Sequence, residues 1–200
     1  MNNIIIFLTA FVLFSCKQKE ELSIKKNPAE ETIISYDIKW VERQISSESK
    51  ELLQLYISND EDTLINQRKV FKEKVLDTLE SDFYHLEFNR LNTRNKGKLS
   101  IPSSLQKKFK NSKESNIWLY LIRFEKDNID IVEFHSINST NVDFDFVSEK
   151  DILIGMVKEQ VEIDTVVNDE KMIRLVESMF VIDNRNKTDN PFISAFIESQ

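Results

Sequence analysis

Hydrophobic positions divide the chain into stretches of two different periods. Ile34, Ile38, Val41 and Ile45 recur at three- and four-residue intervals, and Leu52, Leu53, Tyr56 and Ile57 repeat that spacing after Ser46-Ser47. Each stretch predicts a helix. A third helix is predicted from about Asp62 to Leu79, with Leu64, Phe71, Val75 and Leu79 on one stripe and Arg68, Lys69, Lys72, Glu73 and Lys74 largely away from it.

The period then shortens to two. Tyr84, Leu86 and Phe88 alternate with His85, Glu87 and Asn89, the pattern of a half-buried strand. Ile117 to Phe124 is apolar on both faces and predicts a central strand, and Glu125-Lys126-Asp127-Asn128 turns it into a hairpin partner ending at Ile137. Val142 to Phe146 alternates, and Ile152 to Val166 is rich in Val and Ile, so both read as strands; Ser148-Glu149-Lys150-Asp151 could instead cap a helix. Asn168 caps a predicted helix bearing Met172, Leu175, Val176, Met179 and Phe180. Asn190-Pro191 opens a last short one with Phe192, Phe196 and Ile197 on one side. The sum is an α+β fold class, an antiparallel sheet with N-terminal and C-terminal helices, in a single domain over residues 32–200.

Ahead of that domain, Ile4 to Phe14 is an apolar run interrupted only by Thr9. Spanning a bilayer takes roughly 20 residues, so the run reads as the hydrophobic part of a signal peptide. It ends at the chain's single cysteine, in Leu13-Phe14-Ser15-Cys16. This tetrapeptide resembles the lipobox of bacterial lipoproteins, although Phe14 stands where a small residue is commoner. The resemblance implies a signal peptide over residues 1–15 and lipidation of Cys16 by a thioether-linked diacylglycerol and an N-acyl chain such as palmitate. Residues 16–31, polar and holding Pro28, then form the lipidated cysteine and a flexible tether. Lys17 after the cysteine implies sorting to the bacterial outer membrane. Gln18-Lys19-Glu20-Glu21 resembles the export signals of Bacteroidota surface lipoproteins, so the domain is expected on the periplasmic or the outer face.

Composition narrows the chemistry. Only two glycines, Gly97 and Gly155, are present, so no phosphate-cradling loop, dinucleotide fingerprint or nucleophile elbow can be written. A net charge of -7 argues against a nucleic-acid binder. With Cys16 lipidated, no thiol is left for catalysis, zinc or a disulfide, and no cofactor is expected.

His135-Ser136 invites a triad with Asp130 or Asp143, but neighbours on a strand point to opposite faces, and an ordinary sheet histidine is the simpler reading. His85 and His135 are too few for a transition-metal site. Asp143, Asp145, Glu149 and Asp151 have the chemistry of a hard-cation site, set against their reading as a solvated strand face. Trp118 lies in the apolar strand, where packing is favoured over a sugar platform; Trp40 is the only other tryptophan.

Charge is segregated along the chain. Arg90 to Lys113 holds eight basic residues and no acid, whereas Glu125 to Glu170 holds thirteen acids and three lysines. Such stretches either attract each other or steer an anionic partner. For the second case the candidate binding residues are Lys107, Lys108, Lys110 and Lys113.

These features lead to an envelope-anchored lipoprotein whose non-enzymatic domain binds an anionic protein or polysaccharide. The alternatives are a small envelope hydrolase using paired carboxylates and a toxin-neutralising, immunity-type lipoprotein. The anchor is directly testable: Cys16→Ser is expected to abolish incorporation of labelled fatty acid and to leave the leader uncleaved by the lipoprotein peptidase. A variant that is still acylated and matures to the wild-type mass refutes the lipobox reading.

Overall fold

The computed structural model describes residues 34–60, 62–126 and 128–198. The expected signal peptide, Cys16 and the tether lie outside the described residues. In chain order the elements are β1 (Tyr36–Gln44), β2 (Ser49–Ser58), β3 (Thr63–Lys72), β4 (Val75–Asp82), β5 (His85–Leu91), β6 (Arg94–Ser100), α1 (Leu105–Lys108), β7 (Ser112–Glu125), β8 (Asn128–Ile137), β9 (Asn141–Val147), β10 (Ile154–Val167), β11 (Glu170–Asp183), β12 (Lys187–Thr188) and α2 (Phe192–Glu198). They build three antiparallel sheets, ordered β12-β1-β2-β3-β4, β11-β10-β7-β8 and β5-β6-β9. Among the described residues no helix is long and apolar enough to cross a membrane.

The α+β expectation is therefore overturned: the domain is nearly all β. The stretches read as helices at 34–45, 52–57, 62–79 and 168–180 are β1, β2, the β3–β4 hairpin and β11. Their three- and four-residue apolar spacing does not mark a buried stripe, since Ile34, Val41, Ile45, Val75, Leu79, Met172 and Leu175 are all exposed. Asn168 caps no helix. With Asp169 it forms a two-residue turn between the paired Val167 and Glu170, and both turn residues have positive φ, as a type I′ hairpin turn requires. The C-terminal α2 does form after Asn190, whose side-chain oxygen accepts from the N–H of Phe192 at 2.9 Å.

The main core lies between the four-stranded and three-stranded sheets. Ile117, Leu119 and Leu121 of β7, Val157 of β10 and Phe180 and Ile182 of β11 meet Leu99 of β6 and Val142, Phe144 and Phe146 of β9. Each side chain buried in this way contributes about 1.5–3 kcal/mol. Both glycines belong to this packing. A Cβ on Gly155 would stand 2.1 Å from the Tyr120 carbonyl oxygen, and one on Gly97 would stand 2.3 Å from that of Glu87. Their role is close strand approach, not loop flexibility.

A second cluster attaches the five-stranded sheet. Tyr36 and Tyr56 pack with Val181 of β11 and with Ile193 and Phe196 of α2. Phe180 and Ile182 thus face one core and Val181 the other, so β11 is buried on both faces over these residues.

The joint is polar. Gln54 pairs with Gln67 and Leu55 with Ile65, leaving Asn66 as an extra, bulged residue in β3. Its Oδ1 accepts from the Val181 N–H at 2.7 Å and its Nδ2 donates to the Val181 carbonyl at 2.8 Å. Nδ2 also donates to Gln54 Oε1 at 2.8 Å, and the Tyr84 hydroxyl donates to the same Val181 carbonyl at 3.1 Å. Asn66→Ala would leave a buried main-chain N–H without its acceptor. We expect a loss of about 1–3 kcal/mol, read as a lower urea midpoint at unchanged slope; an unchanged midpoint would show that the joint is dispensable.

Candidate functional site

Beyond the Asn66 joint, β3 and the outer edge of β11 diverge and enclose a cleft of about 500 Å³. Ile65, Asn66, Gln67 and Arg68 of β3 and Asp82 of β4 form one wall, and Glu177, Ser178, Met179 and Phe180 of β11 the other, with Leu105 of α1 and Phe196 of α2 at its borders. The wall of β11 is a strand edge, because β11 is the last strand of its sheet.

Charged groups in the cleft are held by partners. Arg68 Nε donates to Glu51 Oε2 at 2.8 Å and its Nη1 donates to the Glu80 carbonyl at 3.1 Å. Glu51 is fully buried and also pairs with Arg43, so one carboxylate ties β1, β2 and β3 together. The hydrogen bond from Arg68 leads in holding its carboxyl below the ordinary range. Asp82 pairs with Lys108, which also donates to the Ser81 carbonyl at 2.8 Å. Glu177 pairs with Lys158 at 2.7 Å, and that contact lowers its pKa.

None of the four candidate lysines lines this cleft. Lys107 and Lys108 are on α1, two and three residues after the cleft residue Leu105. Lys107 donates to the Pro102 carbonyl at 3.1 Å, and Lys113 pairs with Asp164 at 2.7 Å. Lys110 is exposed before β7 and has no ion pair among the described residues. Three of the four lysines therefore follow the cleft wall at Leu105, while Lys113 is occupied by the β10–β11 hairpin.

Other sequence candidates are not brought together. His135 stacks on Trp118 with ring centroids 5.0 Å apart and bonds Asn116 at 2.9 Å, while Asp130 pairs with Arg123. No triad forms among these residues. Trp118 is half-buried on the outer sheet face, outside the main core. Asp143 and Asp145 oppose Lys98 and Lys96 across the β6–β9 ladder, and Arg94 holds Asp145 through two bonds of 2.7 Å. Among the described residues no three His, Cys, Asp or Glu side chains gather as a metal site.

No family model, curated protein or solved structure matches this chain.

Carboxylate catalysis needs an acid whose pKa is raised and which can reach a substrate. In the cleft Glu177 is shifted the wrong way and Asp82 is neutralised by Lys108. The carboxyl pushed up is Glu159 of β10, one strand in from the cleft residue Ser178 and only 1% exposed. Burial raises its pKa, and hydrogen bonds from the N–H groups of Leu105 and Gln106 at the start of α1 partly offset the shift. It sits behind α1, away from any substrate.

The sequence reading missed Asn66, the β11 edge and Glu159. The available signal was the Asn66-Gln67 pair, two adjacent amides interrupting a β-compatible stretch.

Glu159 carries a pH prediction. Because its folded pKa lies above the unfolded one, the folded state holds more protons between the two values, and stability falls as pH rises through that window. Above the window the charged, buried carboxylate remains a cost. Glu159→Gln keeps an oxygen for the α1 N–H groups without that charge, so it should raise the melting temperature at pH 8 and lose the advantage near the ordinary carboxylate value of about 4.3. An equal gain at both pH values would assign the effect to packing.

Proposed function

We propose that the chain is a lipid-anchored protein of the bacterial envelope that binds an anionic macromolecule in the cleft between β3 and β11. The observation carrying this reading is the cleft itself: about 500 Å³ of space bounded on one side by a strand edge that no other strand among the described residues covers. Its charged lining residues Arg68, Asp82 and Glu177 are each engaged in an ion pair, and past the border residue Leu105 the chain carries the exposed Lys107 and Lys110. Exposed cations of this kind steer an anionic partner and set the salt dependence of capture more than its final affinity. A toxin neutralised by the protein would be one such partner. The hydrolase alternative is weaker, because both cleft carboxylates are engaged by lysines.

The test places a photo-crosslinking side chain at Ile65, in the cleft, and at Val75, at the far hairpin end of β3–β4. Both positions are exposed, at 51% and 70%. In intact cells the Ile65 protein should give one dominant adduct, weakened by added salt and by Lys107→Glu with Lys110→Glu. Adducts equal in amount and identity at the two positions would exclude the cleft as the binding site.

A further inference from the structure

We infer that the cleft takes its partner as an extended, acidic polypeptide segment that pairs as an added strand along the outer edge of β11. This rests on the cleft being the binding site proposed above.

The main chain supplies the first argument. The N–H and C=O of Val181 both bond the Asn66 side chain, so both point away from β10. The β10–β11 ladder runs from Ile154↔Asp183 to Val167↔Glu170 without a register shift. Alternation therefore turns the N–H and C=O groups of Met179, Glu177, Leu175 and Ile173 to the same outer edge. Such a row of donors and acceptors is a template for another strand.

Asn66 identifies the chemistry that fits this edge. Its carboxamide is the side-chain equivalent of a peptide group, and it satisfies donor and acceptor of one edge residue as a neighbouring strand would. Two residues further, at Met179, the cleft begins. A peptide group there would continue what Asn66 starts.

The surroundings suit the side chains of such a strand. Ile65, Leu105, Met179 and Phe196 give it apolar contacts, and the exposed Lys107 and Lys110, two and five residues past Leu105 in the chain, favour acids in the incoming segment. Past Ile163↔Ser112 the hairpin has no further pairing to β7, so its end, from Ile173 to the turn, is a two-stranded ribbon with Met172 and Ile173 exposed. Isolated two-stranded ribbons are marginal, and a strand added on β11 reaches the start of this one at Ile173.

The probe is a random library of displayed peptides of about ten residues, enough to run from Ile173 to Met179, screened on the full lipidated chain in detergent. Enriched sequences should carry acids beside alternating apolar residues. Once synthesised, they should slow hydrogen exchange at the Glu177 and Met179 amides by about tenfold or more while the inward amides of Val176 and Ser178 keep their rates. Glu177→Pro removes one outward N–H at an edge position where proline is tolerated, and should weaken binding by about tenfold, the worth of one such bond. Glu177→Gln keeps the N–H and should bind at least as well as wild type.

Equal affinities of the proline and glutamine variants, or protection of other amides, overturn the inference. No enrichment despite a crosslink at Ile65 also overturns it while leaving the cleft as binding site; loss of both removes both readings. Protection that grows with protein concentration and without peptide assigns the edge to a second copy. Protection lost on deleting residues 17–31 assigns it to the chain's own tether, and either result is against a foreign segment.

Discussion

The carboxamide of Asn66 is the contact on which the arrangement of the sheets depends. It sits at 3% exposure where β3 would otherwise end in an unsatisfied bulge and β11 in an unsatisfied edge, and it resolves both at once. A carboxylate there could accept from Val181 but not donate to it, and an apolar side chain could do neither; the cost of leaving a buried amide group bare exceeds the net gain of making one bond. Asn66 ties β3 to β11 at Val181, and the cleft lies beside this joint, with Asn66 itself in its lining.

Electrostatics follow from the pairing of strands. The basic stretch contains β6 and the acidic stretch contains β9, and these two strands are hydrogen-bonded neighbours. Arg94 meets Asp145, and Arg90 donates to the carbonyls of Ser148, Glu149 and Lys150, pinning the loop that leads into β10. The segregation visible along the chain is thus largely cancelled across the three-stranded sheet. What is left over is the α1 region, whose Leu105 packs on Val161 and Ile163 of β10, on the face that carries Val157 into the main core.

Strands β5, β7, β8, β9 and β10 were legible because each keeps one environment per face along most of its length. Those read as helices do not. In β3 the bulge places Asn66 and Gln67 side by side in the interior and shifts the parity, so the next fully buried position is Val70. In β11 the first half is exposed on both faces and the last third is buried on both, which turns a period of two into an apolar run resembling a helical stripe. The turn at Glu73-Lys74 has two residues of positive φ without the Asn-Gly or Asp-Gly chemistry that announces such turns. The cleft was illegible for a different reason: its working groups are main-chain atoms, and a sequence pattern reports side chains.

An open strand edge is a liability that folded proteins normally blunt with charge, twist or cover. β11 shows two of these along a single edge. Near Val181 the five-stranded sheet and α2 cover it, and toward the hairpin turn Lys171, Arg174 and Glu170 place charges among Met172, Ile173 and Leu175. Between them, at Glu177, neither device applies, because the cover ends at Met179 and the Glu177 carboxylate is drawn sideways to Lys158. There β3, α1 and α2 border a cleft of about 500 Å³ along the edge. Protection by confinement of this kind keeps the edge from indiscriminate pairing while leaving its hydrogen bonds available, and that combination distinguishes a binding edge from a merely unfinished sheet.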